Sequence, residues 1–526
     1  MILAAPPTVA FAGFRVSLSY WTPSLQGKSA VASIERRDLL RTSATAIAVG
    51  LVAEPPLAHA TGEGEPLTAP PPDAAAQRPP AVPVTHILAR YAATAPVEQI
   101  PAAVRKEATR TLFNWVGCAV GGSQQGAPSR AVSALKPFSG PGQASLLGRK
   151  ERLDALHAAL VNGISSHVLD YDDTHLKTII HPAGPVASAL TAFAEYRPVS
   201  GAEFMNALVL GCEVECRIGN AVYPEHYAMG WHITGSTGVF GAAAATGRLL
   251  KLDEQHMAWA LGLAASQPVG LKVQFGSDTK SFHPGRAAQN GMVSALLAQQ
   301  GYTASEVAIE GFDGWGQALS TRHDWSQVTD GLGRHFELSL NTYKPFACGI
   351  VAHPAIDAAI QLRDANGLKP EQIQSIDLKV HPLVPNLMGK TEPSTGLEGK
   401  FSIYHAVAVA LVTGRAGEQA FTDRAVNDPP VVATRKKVAV TVDPAIKPDQ
   451  VDMTVTLTDG RKLHRFIEHA VGSLDHPMSD DQLQDKFTGL AEGILSPEQT
   501  RRLMDLCWRI WDLRDAGEIG RAGAAA

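Results

Sequence analysis

Cysteine is scarce in this chain of 526 residues. None of the five cysteines forms a CxxC pair, the spacing typical of zinc and iron–sulfur sites. Cys212 and Cys216 lie on one face if their segment is helical, a geometry that rarely suits a disulfide. We therefore expect mostly buried apolar thiols, with at least one free because the count is odd. The five are Cys118, Cys212, Cys216, Cys348 and Cys507.

Charged residues make up only 18% of the chain, the formal net charge is −5, and no basic block occurs. A protein that binds a phosphate backbone needs a basic patch or stripe, so no nucleic-acid partner is expected. The hydrophobic fraction of 45% is enough for a large core. Composition and length together indicate a globular protein of two or three domains.

The first 60 residues have the order of an export leader. The pair Arg36 and Arg37 is followed by an apolar run at 44–53 and by Ala-His-Ala at 58–60, as in a twin-arginine signal cleaved before Thr61. We predict a periplasmic protein with no stable membrane insertion after signal removal, because the run is too short to span a bilayer. The alternative is a disordered N-terminus with a chance Arg pair, and a cytoplasmic protein. Residues 61–84 are rich in Pro and Ala and are predicted to be a linker.

Apolar residues recur at three- and four-residue spacing from about residue 85, which predicts helices at 85–93, 102–120, 154–171, 185–196, 201–222 and 237–250. After residue 341, β-branched strand patterns at 376–380, 437–442 and 451–457 mix with helical patterns. The predicted fold class is mainly α: a large all-α helical domain (85–341) with an inserted smaller α+β lid domain (342–472). C-terminal helices at 473–515 return to the helical domain, and residues 516–526 form a flexible tail.

The densest polar cluster lies at residues 170–175, followed by His181. Asp170 and Thr174 share a face if the helix continues through them, and His181 returns toward them after a short loop. Carboxylate, hydroxyl and imidazole would then converge. Each residue also has a simpler interpretation, as a helix cap, a solvated turn residue or a core histidine.

Three further segments place a His or Lys beside glycines: residues 230–238, 280–286 and 343–353. The first has no strand before it, which disfavours a dinucleotide site, but a helix beginning near Thr237 would offer free N–H groups to a carboxylate. Lys280, His283 and Arg286 suit an anionic substrate, although a solvated basic turn is the simpler alternative. No motif with metal-ligand spacing such as HExxH occurs, so no metal is expected.

The strings at 159–175, 230–232, 279–288, 344–353 and 401–404 have the order and spacing of the MmgE/PrpD family, which the chain resembles over about residues 85–515. That family includes 2-methylcitrate dehydratases, cis-aconitate decarboxylases and an epimerase type. The resemblance implies an MmgE/PrpD-like helical domain with a lid, a homodimer, no cofactor, and a small polycarboxylate substrate. It implies an enzyme, either a hydro-lyase or a carboxy-lyase.

Carried over by position, the family's site falls on residues of both domains. His232 and His353 would be the acid–base pair on opposite walls of a cleft, because histidines exchange protons near neutral pH. Lys280 would pair with substrate carboxylates, and Asp170 would orient His181 or Lys280. The candidate catalytic residues are His232, His353, Lys280, Asp170 and His181; the candidate substrate-binding residues are Thr174, Tyr404, His283, Arg286 and Lys272.

Two departures from the family pattern leave the substrate open: residues 346–349 read Phe-Ala-Cys-Gly, and the loop at 176–180 reads Leu-Lys-Thr-Ile-Ile. Dehydration, decarboxylation and epimerisation could all use the same residues. An exported polycarboxylate-binding protein without turnover is an alternative from another class, as is a helical scaffold for protein partners.

Overall fold

A computed structural model describes residues 82–526. The predicted leader (1–60) and nearly all of the predicted linker (61–84) lie outside the described residues. Within residues 82–526, no helix is both long and apolar enough to cross a membrane.

The first part of the described chain is helical, with a few very short strands. Its helices are α1 (Val84–Thr94), α2 (Ala102–Gly122), α3 (Gly126–Leu135), α4 (Ala155–Val168), α5 (Ala183–Tyr196), α6 (Gly201–Val222), α7 (Glu225–Ala228), α8 (Ile233–Leu249), α9 (Glu254–Ala265), α10 (Asp278–Gln299), α11 (Trp315–Leu319) and α12 (Ser326–Thr329). Its strands are β1 (Ala144–Ser145), β2 (Arg152–Leu153), β3 (Asp173–His175) and β4 (Asn341–Tyr343).

Local chemistry explains where these helices begin. The Asp154 carboxylate accepts hydrogen bonds from the N–H groups of Leu156 and His157, which fixes the start of α4. Ser200 and Glu203 form a capping box at the start of α6. Both caps satisfy backbone N–H groups that the first helical turn leaves without partners.

Helices α4 and α10 cross in backbone contact at two glycines. A Cβ atom added to Gly163 would lie 2.4 Å from the Cα of Gly285, and one added to Gly285 would lie 2.2 Å from the carbonyl oxygen of Leu160. Such distances leave no room for any side chain. The crossing therefore holds the C-terminal end of α4 close to the N-terminal half of α10.

A second, smaller layer follows, in which helices cover one face of a sheet. Its helices are α13 (His353–Asn366), α14 (Leu383–Met388), α15 (Gly396–Gly399), α16 (Ile403–Thr413), α17 (Asp423–Val426) and α18 (Pro429–Arg435). Its strands are β5 (Ile373–Val380), β6 (Val438–Val442), β7 (Val451–Leu457) and β8 (Lys462–Ile467).

The sheet has the strand order β6-β5-β7-β8, with β5 and β6 parallel and the other pairs antiparallel. Every second residue of β7 is buried, the period of a strand with one face on a core. That core includes residues of α13 and α16, among them Ile356 and Val407. We call residues 342–472 the α+β layer.

The chain then returns to helix with α19 (Asp480–Ala491), α20 (Pro497–Trp508) and α21 (Glu518–Gly523). α19 packs on α2, where Phe487 contacts Phe113. The prediction of a flexible tail at 516–526 is wrong. Ile519 is fully buried, and the carbonyl of Gly523 accepts a 2.7 Å bond from the N–H of Gly148, because small residues let this last helix approach closely. The predicted mainly α fold class is confirmed.

Candidate active site

The site is built around the segment that follows α4. The predicted helix at 154–171 ends at Val168, and Asp170 adopts a left-handed backbone conformation with φ of 51°. Thr174 lies in β3, opposite Thr342 of β4. The prediction that Asp170 and Thr174 share a helical face is therefore wrong, because pairing with β4 replaces the last helical turn.

Asp170 accepts hydrogen bonds from two buried ammonium groups. The Nζ of Lys280, on α10, lies 2.9 Å from Oδ1 of Asp170, and the Nζ of Lys344 lies 2.7 Å from the same oxygen. Oδ2 of Asp170 is buried and has no hydrogen-bond partner in the described structure. One carboxylate thus holds one lysine from the helical part and one from the start of the α+β layer.

The charges of this trio depend on one another. Burial alone would raise the pKa of Asp170, but the ammonium groups of Lys280 and Lys344 more than offset it and hold that pKa well below its usual value. Burial lowers the pKa of Lys280, although Asp170 opposes it. For Lys344, burial is outweighed by Asp170 and Asp172, and the pKa is raised.

Two further lysines surround the same segment. The Nζ of Lys400 donates to the carbonyls of Leu169 (2.6 Å) and Ala347 (2.8 Å). The Nζ of Lys486 donates to the carbonyl of Tyr171 at 2.6 Å. Burial lowers the pKa of each lysine to about 8, so both remain mostly protonated at pH 7.

The cluster therefore carries excess positive charge at neutral pH. Four ammonium groups, those of Lys280, Lys344, Lys400 and Lys486, lie around two aspartates, Asp170 and Asp172, whose pKa values are both lowered. The third aspartate of the segment, Asp173, has its pKa raised to about 7 by burial and by the neighbouring Asp172. A buried site with this balance attracts anions.

Histidines form the other side of the cluster. The ring of His167, on α4, places Nδ1 2.6 Å from the Asp172 carboxylate. Nδ1 of His181 lies 2.6 Å from the carbonyl oxygen of Asp173, and Thr174 Oγ1 lies 3.3 Å from the same nitrogen. Because a carbonyl only accepts, the proton of neutral His181 sits on Nδ1, and Nε2 keeps a free lone pair.

His232 stands at the N-terminal boundary of α8, and its Nδ1 lies 2.9 Å from Nδ1 of His283. Its ring centre is 5.7 Å from that of His167 and 6.3 Å from that of His181. Burial lowers the pKa of His232 well below its usual value, and lowers the pKa values of His181 and His283 to about 3. These rings are neutral at pH 7 and can act as bases.

The same side chains include metal-ligand types. Ring nitrogens of His167, His181 and His232 lie within 4.8 Å of one another, as do donor atoms of Asp170, Asp172 and His181. The ammonium group of Lys280 already occupies the cation position beside Asp170. Like-charge repulsion from Lys280 and Lys344 opposes a divalent ion here.

A narrow cavity of about 30 Å³ opens onto this cluster. Its polar lining comes from Asp170, His181, His232, Lys280 and Lys344. The α+β layer supplies an apolar wall that includes Ile350, Val351, Met388 and Phe401. Four of the five candidate catalytic residues therefore meet at one cavity: Asp170, His181, His232 and Lys280.

The fifth, His353, lies elsewhere. It lines a neighbouring cavity of about 280 Å³. His353 is 2% exposed, and neither ring nitrogen makes a hydrogen bond of good geometry within residues 82–526. Burial lowers its pKa to about 3, Lys344 adds to that effect, and the nearby backbone of Cys348 partly opposes it. Ile179, Ile350 and Val351 form a wall common to both cavities.

The candidate substrate-binding residues divide into two groups. Thr174 and His283 lie behind His181 and His232, and the Nζ of Lys272 lies 4.3 Å from the ring centre of Tyr227, which lines the narrow cavity. Arg286 is exposed and donates to Gln289, pointing away because it follows the buried Gly285 on α10. Tyr404 is half-buried at the edge of the α+β core and lines neither cavity. Neither Arg286 nor Tyr404 joins the site.

Sequence reasoning missed His167, Asp172 and three of the four lysines. Lys344 lies within the string 344–353 that carries the family resemblance, and this position could have indicated a site residue. His167 is spaced three residues before Asp170 on a helix, which gave no hint that its ring turns back toward Asp172. Lys400 and Lys486 come from distant parts of the chain, and only the folded structure brings them to residues 169–171.

Comparison with known sequences identifies the family of this chain. The family model for the MmgE/PrpD N-terminal domain matches residues 86–328, and that for the MmgE/PrpD C-terminal domain matches residues 346–510. The chain belongs to the MmgE/PrpD family. The predicted resemblance is confirmed, and the two matched segments correspond to the helical part and to the α+β layer with the helices that follow it.

Named relatives of this MmgE/PrpD protein are similar over most of their length. Cis-aconitate decarboxylase of Aspergillus terreus is 25% identical over 468 residues, which are 83% of this chain and 95% of the relative. Cis-aconitate decarboxylase of Mus musculus is 25% identical, covering 81% and 90%. 2-Methylcitrate dehydratase of Cupriavidus necator is 23% identical, covering 69% and 81%.

Proposed function

We propose that the protein is a cofactor-independent lyase that removes carbon dioxide or water from a small polycarboxylate such as cis-aconitate or 2-methylcitrate. The expectation of a lyase agrees with the names of the relatives, which are a decarboxylase and a dehydratase. The observation that carries the proposal is the excess of buried ammonium groups around Asp170, beside neutral histidines.

Substrate binding uses that charge. Lys280 lies at the cavity wall and pairs with a substrate carboxylate, while Lys344 keeps Asp170 ionised. An ion pair is worth more in a buried site than in water, because the surroundings screen it less. The negative charge of the bound substrate also raises the pKa of nearby histidines, which makes them able to donate a proton after binding.

The chemistry then needs groups in opposite protonation states. Dehydration requires a base for the carbon-bound proton and an acid for the departing hydroxyl, whereas decarboxylation requires a proton donor to the carbon skeleton. In our proposal neutral His232 takes or returns the carbon-bound proton. His353, which lines the larger cavity, is the second acid–base residue and acts on the opposite face of the substrate. The ammonium of Lys280 stabilises negative charge as it builds on an enolate-like intermediate.

A proton-NMR turnover screen in deuterated buffer tests this function. The protein is incubated with citrate, 2-methylcitrate and cis-aconitate, with a Lys280→Ala variant as the matched control. New vinyl signals with the wild type alone are the expected result. Deuterium entering an unchanged skeleton would indicate an epimerase and contradict the lyase. Binding without any turnover would indicate a binding protein.

Export and assembly are proposed on separate grounds. The twin-arginine pattern at 35–41 supports a periplasmic location, and a native mature N-terminus that still contains Arg36 and Arg37 would contradict it. The family resemblance supports a homodimer. Light scattering of the purified protein is expected to give twice the mass of one chain.

A further inference from the structure

Three successive carbonyl groups at Asp170 each accept a hydrogen bond from a different buried lysine. The pairs are Lys400 with Leu169 (2.6 Å), Lys344 with Asp170 (3.1 Å) and Lys486 with Tyr171 (2.6 Å). The segment follows the end of α4 at Val168, so these carbonyls have no partner within a helix. Asp170 also has φ of 51°, a conformation that is costly for residues other than glycine. The lysines therefore stabilise the main chain that carries the central carboxylate of the site.

Lys486 holds two segments of the site at the same time. Its Nζ donates to the carbonyl of Tyr171 and, at 2.9 Å, to the carbonyl of Lys344. Tyr171 directly follows Asp170, and the Nζ of Lys344 lies 2.7 Å from the Asp170 carboxylate. One ammonium group therefore joins the main chains of both partners in the Asp170–Lys344 ion pair.

All three N–H groups of the Lys486 ammonium have acceptors. The third acceptor is Oδ1 of Asn114 on α2, at 2.8 Å. Lys486 is 9% exposed and does not line the narrow cavity, whereas Lys280 does. In the described structure, Lys486 thus has no N–H group left for a substrate. Any effect of this lysine on a reaction must come through the groups that it holds.

Helix α19 brings Lys486 to this position by packing closely on α2. A Cβ atom added to Gly117 of α2 would lie 2.9 Å from Cδ2 of Phe487, and one added to Gly121 would lie 2.6 Å from Cδ2 of Leu490. These glycines let α19 approach α2 closely enough for Lys486 to reach across to residues 171 and 344. The C-terminal helices thus contribute a side chain to the cluster although they line no part of the narrow cavity.

We propose that Lys486 is a positioning residue for the reaction, because its ammonium group fixes the main chains of Tyr171 and Lys344. Those main chains set the geometry of Asp170, which in turn holds Lys280 at the cavity wall. The inference rests on the proposed function, since it needs a reaction at this site. It gives the last part of the chain a role in catalysis without contact with the substrate.

Steady-state kinetics of Lys486→Met, on the substrate found by the NMR screen, test the proposal. Methionine is of similar length but has no N–H donor, so the two carbonyls are released. We expect kcat to fall by about 10–10²-fold, because small displacements of reacting groups slow a reaction strongly. KM should stay within about threefold, since Lys280 keeps its own bond to Asp170. Asn114→Ala is the milder second variant: it keeps the lysine, removes one acceptor, and should lower kcat by about threefold or more.

The matched control is Leu483→Ala, which opens a space in the core beneath the same helix at a residue that is 1% exposed. It should lower the unfolding free energy in urea but leave kcat within about twofold, because it releases neither carbonyl. An unchanged kcat in Asn114→Ala and in a folded Lys486→Met, or an equal fall of kcat in Leu483→Ala, would overturn the inference and leave the proposed function standing. A wild type without turnover on any acid of the screen would overturn both.

Discussion

The two walls of the narrow cavity differ in how their side chains are held. On the helical side, Asp170, His181 and His232 each have hydrogen-bond partners that fix their orientation. On the side of the α+β layer, the lining is mostly apolar, and the nearby buried His353 makes no side-chain hydrogen bond of good geometry within residues 82–526. The difference indicates that hydrogen bonds orient the polar groups of the helical wall, whereas the α+β wall, apart from Lys344, mainly determines the shape of the cavity.

The largest effect should come from removing the charge that links the walls. Asp170→Asn leaves the ammonium groups of Lys280 and Lys344 buried without their counter-ion, and we expect a loss of about 3–5 kcal/mol in unfolding free energy. Urea unfolding measures it. The control is Asp505→Asn, whose ion pair with Arg509 is more than half exposed and worth less than about 1 kcal/mol. Similar losses of unfolding free energy in the two variants would show that Asp170 does not stabilise the fold as the counter-ion of Lys280 and Lys344.

Lys280→Ala tests the helical wall for chemistry rather than stability. Asp170 keeps Lys344, so the fold should survive, while turnover should fall by about 10²–10³-fold because a charge-stabilising group is lost. Steady-state kinetics on the substrate found by NMR measure the loss. Lys177→Ala, at an exposed lysine of the adjacent loop, should be unchanged. A Lys280→Ala variant with full turnover would remove this lysine from the mechanism.

His353→Phe tests whether the α+β wall contributes chemistry as well as shape. No hydrogen bond of good geometry is lost within the described residues, and an aromatic ring still packs on Phe346. We expect turnover to fall by about 10²-fold with little change in stability. His464→Phe, on an exposed strand of the same layer, is the control. Undiminished turnover in His353→Phe would mean that this wall contributes only shape.

The pH dependence of stability tests the protonation of Asp173 in the helical wall. Because the folded pKa of Asp173 is about 7 against an ordinary value of 3.8, the folded state binds more protons between these values. Stability from this group is full below about pH 4 and is lost as the pH rises through 7. Asp173→Asn removes the titration, so the free energies of unfolding in urea at pH 5 and pH 8 should differ by about 2–3 kcal/mol less than in the wild type. An identical pH dependence would contradict the assignment.

The smallest effect is expected at Arg286. Its guanidinium is exposed, bonds only to Gln289 among the described residues, and lies outside both cavities. Arg286→Ala should leave kcat/KM within about twofold. A large rise in KM would show that the two walls rearrange on binding and bring this side chain to the substrate.

The sequence allowed most long helices to be predicted because their periodic apolar residues pack against one another. The predicted helix at 201–222 has the observed bounds of α6, and the strand at 451–457 those of β7. The site was harder to predict. Asp170 leaves the helix because Asp172 bonds back to His167 and β3 pairs with a strand near residue 342, a partner far along the chain.

Short polar strands such as β3 and β4, and the mostly exposed β8, carry little apolar alternation, so pattern reasoning could not find them. The lysines were missed for a similar reason. Lys400 and Lys486 bind main-chain carbonyls, and any residue supplies a carbonyl. The partner therefore leaves no trace in the sequence.

The contact between Gly163 and Gly285 has a consequence for how this chain can change. Every missense change of a glycine codon adds a side chain, and at these two positions there is no space for one. Neither glycine can be replaced while the facing helix keeps its position. Lys280 and Asp170, which we propose take part in the reaction, lie on segments joined by this crossing. The two codons therefore restrict the evolutionary paths open to the candidate active site without encoding any of its chemistry.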